Sequence, residues 1–346
     1  MRRFPPPPPR LTPAGPPQAV VDLQQAVAHV NAGRWPEAEK HARKVLAARP
    51  SDPSALNVLG TVSLNRGRSD DAVAWFEKAA SGQPKNPFIQ FNLGEAHRRL
   101  QAYEIAATFF QRAAALKPDF AEAFAAAGDA YRLIGRRSDA ERCYRSALKR
   151  APALPTALNG LGLLCLQSGD AAGAAEHFHR GRKATPAGHP LRAILLANLG
   201  LARLQLGHGM EGLALLAQAV EAAPGDAEAW RRLAGALRHT RLAPPTPAFR
   251  EILLQLFDRP DVNPRNLATA AIAVLRQQPE IDRLLESIAG APGQLAETLE
   301  REATTASQLI QDHLFQTLLA TAPVPDVAIE FVLVQLRSDL LRLTEG

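Results

Sequence analysis

The side chains of this 346-residue sequence that could do chemistry are few, and their spacing is poor for it. His177 and His179, in EHFHR, stand two apart. On a helix that spacing sends the imidazoles to different faces, so they read as solvated histidines and not as a metal pair. His208, between Gly207 and Gly209, reads as a turn residue. Cys143 and Cys165, the two cysteines, supply neither a disulfide framework nor a CxxC metal site, and read as small reduced packing residues. No HExxH, GxSxG, P-loop or kinase motif set occurs. The acids Glu95, Glu122 and Asp129 have arginines as neighbours, which would hold them ionised rather than poised as general acids. The expectation is a chain that is not an enzyme and carries no cofactor and no metal.

Composition points to close-packed helices. Apolar residues make up 46% and aromatics only 5%, and alanine is abundant; strands favour β-branched and aromatic residues instead. The formal charge of +6 is modest, with 33 Arg against 7 Lys. Those arginines are scattered among acids without interleaved aromatics for base stacking, so no nucleic-acid partner is expected. No apolar run approaches the roughly 18 residues of a membrane span. The opening MRRFPPPPPRLTPAGPP lacks the apolar region of a secretory signal. The expected setting is soluble and cytoplasmic, without membrane contact. Pro5 to Pro9 reads either as a polyproline II ligand or as a disordered solubilising end.

Positioning is the task of a repeat. At a period of 34 the chain aligns to itself in six units: 19–52, 53–86, 87–120, 121–154, 155–188 and 193–226, with one four-residue insertion, 189–192. Position 8 is Gly60, Gly94, Gly128, Gly162 and Gly200 after Ala26 in the first unit. Position 20 is alanine in five units and Gly212 in the last, and position 32 is proline in all six. Small residues at positions 8 and 20 would let two antiparallel helices approach closely, with bulkier residues such as Leu56, Leu59, Phe76, Phe124 and Tyr144 filling the flanks. Gly33, Gly67, Gly135, Gly169 and Gly207 at position 15 stop the first helix and turn the chain. The proline stops the second helix. Each unit is therefore predicted to be a helical hairpin with arms of about one and a half dozen residues.

This pattern resembles the tetratricopeptide repeat from Ala19 to Asp226. The stretch AEAWRRLAGALRHTR that follows reads as half a unit, 227–241, closing the stack, with Trp230 and Leu233 at positions 4 and 7. The resemblance implies an all-α, right-handed superhelical solenoid of six repeats plus a capping helix. It also implies a concave surface lined by positions 2, 5, 9, 12 and 13 of the first helices. In the third unit those are Phe88, Phe91, Glu95, Arg98 and Arg99, and in the fourth they include Glu122, Asp129, Arg132 and Leu133. Asn159 and Leu163 follow in the fifth, and Arg231, Arg238 and His239 in the half unit. Such a groove could hold a protein or peptide segment carrying apolar anchors and some acidic groups. Two readings of Arg98, Arg99 and Arg132 stay open: ligand contact, or a solvated face paired with Glu95, Glu122 and Asp129. In the first unit Val20, Leu23, Val27 and Val30 leave the lining apolar, which fits self-association or cover by another part of the chain.

Two signatures within the family are missing. The basic clamp of chaperone-binding arrays is not matched by Leu23, Val27, Val58, Phe88 and Asn92. The position-6 asparagine ladder of arrays on O-linked N-acetylglucosamine transferases is not matched by Gln24, Val58, Asn92, Ala126, Gly160, Asn198 and Arg232.

Beyond a Pro-rich tail, 1–18, and the array, 19–241, the chain reads as a linker, 242–247, and a small helical domain, 248–346. Helices are predicted at 248–258, 264–276, 279–289, a long stretch between 293 and 321, and 325–343, the last with Ile329, Val332, Leu336 and Leu340 at helical spacing. Residues 245–343 resemble the linking region between a tetratricopeptide array and a class I methyltransferase domain in some bacterial proteins. That likeness implies an alternative: a substrate-recruiting module whose catalytic domain is absent from this chain or lies on a methyltransferase partner. The chain itself has no strand leading into a Gly-rich turn for the cofactor.

Overall fold

In the computed structural model the described residues are 18–238, 247–290, 297–298 and 301–321. The Pro-rich tail and its polyproline run, His239, most of the linker and the helix expected at 325–343 lie outside them. All regular structure among the described residues is helical. The chain divides into two compact units, Met1–Gly160 and Leu161–Gly346.

The first unit is built from four hairpins: α1 (Gln18–Asn31) with α2 (Trp35–Ala48), α3 (Pro53–Asn65) with α4 (Ser69–Gly82), α5 (Pro87–Arg99) with α6 (Tyr103–Leu116), and α7 (Ala121–Leu133) with α8 (Arg137–Arg150). The arms are 13 or 14 residues long, shorter than expected, because two turns in each period consume the difference. One turn is set by the position-15 glycines, which hold φ between +68° and +80°, the left-handed region open to a residue without Cβ. The other is set by capping. Asp52 accepts from the backbone N–H groups of Ser54 and Ala55 at 3.1 Å each, and Asn86 accepts from Phe88 at 3.0 Å. Pro53 and Pro87 then occupy the first helical position, where no N–H is missed.

The small residue at position 8 has a more specific task than helix approach. Phe76 lies over Gly60, and a Cβ there would come within 2.4 Å of its ring; Phe110 over Gly94 gives 2.6 Å. Tyr144 fills the same slot over Gly128, and a Cβ at Gly160 would also meet its ring, at 2.2 Å. Phe76, Phe110 and Tyr144 are fully buried, each burial contributing about 1.5–3 kcal/mol.

The division between the units falls inside α9 (Pro155–Gln167). The second unit continues with α10 (Ala171–Ala184), α11 (Pro190–Gln205), α12 (Gly209–Ala222) and α13 (Ala227–Leu237). The four-residue insertion lengthens α11 to 16 residues, with His189 capping it by accepting from the Leu191 N–H at 3.1 Å. The Gly200–Gly212 pair is a true backbone approach, since a Cβ at Gly200 would lie 2.9 Å from the Gly212 carbonyl oxygen.

The C-terminal helices are α14 (Pro247–Phe257), α15 (Ala268–Leu275), α16 (Pro279–Gly290), α17 (Ala303–Gln311) and α18 (His313–Thr321). Two expectations are corrected here. Residues 264–266 form a short 3-10 turn ahead of α15, with Asn263 accepting from the Arg265 N–H. The long stretch ending at 321 is broken at Asp312, whose carboxylate accepts from the N–H groups of Leu314 and Phe315 and so starts a new helix. One apolar cluster runs from Phe178 and Leu216 through Trp230 and Leu233 to Phe249, Leu253, Leu275 and Phe315. No helix among the described residues is long and apolar enough to cross a membrane.

Candidate functional site

In the first unit the positions expected to line a binding surface fall on successive turns of α5 and α7. Glu95 and Arg98, three residues apart, form an ion pair at 2.8 Å. That pairing, opposed by burial, holds the Arg98 guanidinium above its ordinary pKa. Arg99 is exposed, and neither it nor Arg132 has an ion-pair partner among the described residues. The Arg132 Nε is buried without a hydrogen-bond partner. Arg98 is thus closed by Glu95 and Arg132 acts on the neighbouring Asp129 carboxylate, which leaves Arg99 without a carboxylate partner among the described residues.

Asp129 connects this face to the core. The Tyr144 hydroxyl donates to its carboxylate at 2.6 Å. Burial pushes the Asp129 carboxyl above the usual carboxylate range, and the hydroxyl, Arg132 and Arg98 pull the other way. Burial and the adjacent carboxylate push the Tyr144 phenol up as well. The hydroxyl therefore stays protonated and serves as a fixed donor, while Asp129 holds acceptor capacity toward the arginines.

At the opposite end of the same two helices lies an aromatic patch. Phe88 is 51% exposed and packs 5.4 Å from Phe120, which is 5.1 Å from the half-buried Phe91. The Lys117 ammonium sits 4.9 Å over the Phe88 ring and 5.2 Å over Phe120. An exposed phenylalanine braced by one ring and a cation is a rigid apolar anchor point. Between α3 and α5, Asn92 donates to the Asn57 side-chain oxygen at 2.9 Å, a single link and not a ladder.

The remaining expected lining residues differ in setting. Asn159 is half-buried in the first unit. In the second unit Leu163 is partly buried against the apolar cluster. Arg231 is exposed and paired with Glu228 at 2.8 Å, and Arg238 is exposed at the end of α13. Sequence reasoning passed over three participants. Tyr144 reads as flank filler, yet it is the one tyrosine in a slot held by Phe76, Phe110 and Phe178, and that substitution is the signal. Phe120 and Lys117 fall at the end of their unit, outside the lining positions. His177 and His179 lie on either side of Phe178 in α10, and no group of side chains among the described residues could hold a metal ion.

Family comparison finds the tetratricopeptide repeat at residues 23–87, 125–189 and 198–244, and a second model of the same repeat at 89–120. The matches end at residue 244, and the likeness of residues 245–343 to a methyltransferase linking region has no support among them. No curated protein matches the sequence. Solved structures with a similar fold include a chain of the APC/C Cut9–Hcn1 hetero-tetramer. It is 16% identical with a TM-score of 0.59 over 74% of this chain and 46% of that one. PilW, a widely conserved type IV pilus biogenesis factor, is 20% identical with a TM-score of 0.55, over 63% of this chain and 100% of its own. PilF of Pseudomonas aeruginosa is 17% identical, with a TM-score of 0.54 over 63% and 97% of the two chains.

Proposed function

The chain belongs to the tetratricopeptide repeat family, and from that premise we propose that it is a non-catalytic protein-interaction scaffold that binds a protein segment on the α5–α7 face of its first unit. The observation that carries this reading is a half-exposed, braced Phe88 in the first turn of α5 and, about 16 Å along the same helix, Arg99, which has no carboxylate partner among the described residues. A segment with an apolar side chain and, about five extended residues away, an acidic one would cover the ring and pair with the guanidinium groups, and Arg is well suited to bidentate carboxylate contacts. Glu95 and Asp129 are engaged with Arg98 and Tyr144, so they repel an acidic ligand less than free carboxylates would. A few such anchors, rather than total area, would set the affinity.

The test is selection of displayed random peptides on the full chain, followed by affinity measurement on the wild type and on an Arg99→Glu, Arg132→Glu variant. Enriched peptides are expected to share an aromatic or aliphatic residue about five positions from an Asp or Glu, and to bind the variant at least about tenfold more weakly. Peptides rich in Lys or Arg, or an affinity unchanged in the folded variant, would overturn the assignment of this face.

A further inference from the structure

A second site lies away from the α5–α7 face, in the hairpin of α3 and α4. Positions 11 and 23 of each 34-residue unit face each other across a hairpin, and two of the four hairpins of the first unit stack ring on ring across that gap. In the first, His29 stacks on His41 with centroids 5.5 Å apart and planes 17° from parallel. In the third, His97 stacks on Phe109 at 5.3 Å and 3°. In the fourth, Tyr131 is buried and covered by the Arg136 guanidinium at 4.7 Å. The second hairpin has the largest ring at position 23, Trp75, and the smallest residue at position 11, Ser63. Ser63, itself buried, has no ring to lay on the indole, and a cavity of about 230 Å³ lies at this hairpin with Trp75, Lys78 and Ser63 in its lining.

The cavity has the size and charge of a ligand site. Its volume exceeds the about 150 Å³ that holds benzene in an apolar cavity, and its lining joins the Trp75 ring to charged side chains. Its charged rim is largely settled within the protein: Glu39 takes Arg43 at 2.8 Å and also pairs with Arg66, and Asp71 takes Arg68 at 3.5 Å. Lys78 is the exception. Its ammonium lies 4.9 Å over the Trp75 ring and has no carboxylate partner among the described residues.

We propose that this gap is a binding slot for an aryl anion, with a planar ring laid on the Trp75 indole where the sister hairpins lay their own ring, and with its anionic substituent beside Lys78. A flat ring recovers the stacking that His29 and His97 supply elsewhere, and the substituent neutralises the one open cation of the rim. The ring can arrive as a free small molecule or as a phosphotyrosine side chain on another protein.

The experiment titrates the full chain with phenyl phosphate, with phenol, and with a five-residue peptide centred on phosphotyrosine, reading heat and indole fluorescence. Ser63→Tyr installs the residue that the fourth hairpin uses, and should close the slot while keeping or raising the thermal midpoint. Lys78→Gln changes an exposed side chain and leaves the cavity open. The proposal predicts saturable binding of an aryl phosphate by the wild type and its loss in Ser63→Tyr. It further predicts binding weakened about tenfold in Lys78→Gln, and phenol bound weakly and alike by wild type and Lys78→Gln. Tighter binding of the peptide assigns the ring to a partner protein, and tighter binding of phenyl phosphate assigns it to a free ligand. Equal affinity for wild type and Ser63→Tyr, or saturable binding of neither phosphate by the wild type, overturns the proposal. Should Ser63→Tyr fail to fold, an affinity of Lys78→Gln for phenyl phosphate equal to the wild type's does so.

Discussion

The second and fourth hairpins follow one frame, and they differ at two positions that decide what each can do. At position 24 both seat a ring over a glycine, Phe76 over Gly60 and Tyr144 over Gly128. The phenylalanine ends in the core, whereas the tyrosine carries one more oxygen, which emerges at the first-helix face and holds Asp129 at 2.6 Å. At position 11 the order reverses: Tyr131 brings a ring in the fourth hairpin, and in the second a buried Ser63 brings none and lines a cavity beside Trp75. A repeat thus separates two requirements. The ring-in-slot geometry makes the hairpin, and single-atom or single-ring departures from it make the sites.

Truncating the shared ring tests the part that the two hairpins have in common. Phe76→Ala and Tyr144→Ala should each lose about 3–5 kcal/mol, read as a shift of the urea midpoint. The two losses should agree within the added term for the hydroxyl. If either truncation cost less than about 1 kcal/mol, the slot would not be what holds that hairpin together.

Removing only the hydroxyl tests the part in which they differ. Tyr144→Phe turns the fourth slot into a copy of the second and leaves a buried carboxylate short of a donor, at a cost of about 1–3 kcal/mol. The converse, Phe76→Tyr, places a hydroxyl near Thr61, which stands at the Asp129 position of the second hairpin. It should gain nothing comparable. A neutral Tyr144→Phe, measured by denaturant unfolding at pH 7, would detach Tyr144 from the site.

The pH dependence of that site has a definite sign. Asp129 titrates above its ordinary value of 3.8 in the folded state, because burial outweighs the Tyr144 hydroxyl, Arg132 and Arg98. The folded chain therefore keeps this proton to higher pH than the unfolded chain does. Its contribution to stability falls as pH rises from the unfolded value through the folded one. Asp129→Asn does not titrate and escapes this loss. The stability of the variant relative to the wild type should improve as pH rises from the ordinary carboxylate range and level off above the folded value, and a difference that is flat throughout or of opposite slope would mean that the arginines outweigh burial.

The frame was legible in the sequence because it is written in residues whose effect is local. A glycine that must take positive φ at Gly67 or Gly135, a proline that ends a helix and a glycine under a ring leave few alternatives, and they recur every 34 residues. The helix break at Asp312 was equally local, but a lone aspartate within an apolar pattern is not distinguished from a surface residue until its carboxylate is seen over the next N–H groups. The pairing of Arg98 with Glu95 follows from their i, i+3 spacing on α5 and measures 2.8 Å, whereas Arg99, one residue further round the helix, has no carboxylate beside it among the described residues. Tyr144 and Ser63 were present as departures from the repeat. Their meaning depends on residues 15 and 12 positions away, Asp129 and Trp75, and so on how two helices are rotated against each other.

The third hairpin sharpens the comparison with the smallest expected effect. Its position 15 is Gln101, which holds φ at +60° where the other hairpins of the first unit have glycine. A side chain in that region costs about 1–2 kcal/mol, partly offset because glycine gives up more chain entropy on folding. Gln101→Gly should therefore stabilise the protein by about 0.5–1 kcal/mol, and Gly135→Gln, the mirror exchange in the fourth hairpin, should destabilise it by a similar amount. Both are exposed turn residues, so no packing term confuses the measurement by urea denaturation. If Gln101→Gly were destabilising, the glutamine side chain would have to contribute something beyond the turn. Because Gln101 follows Arg99 by two residues, peptide affinity measured on the same variant would show whether that contribution belongs to the α5–α7 face.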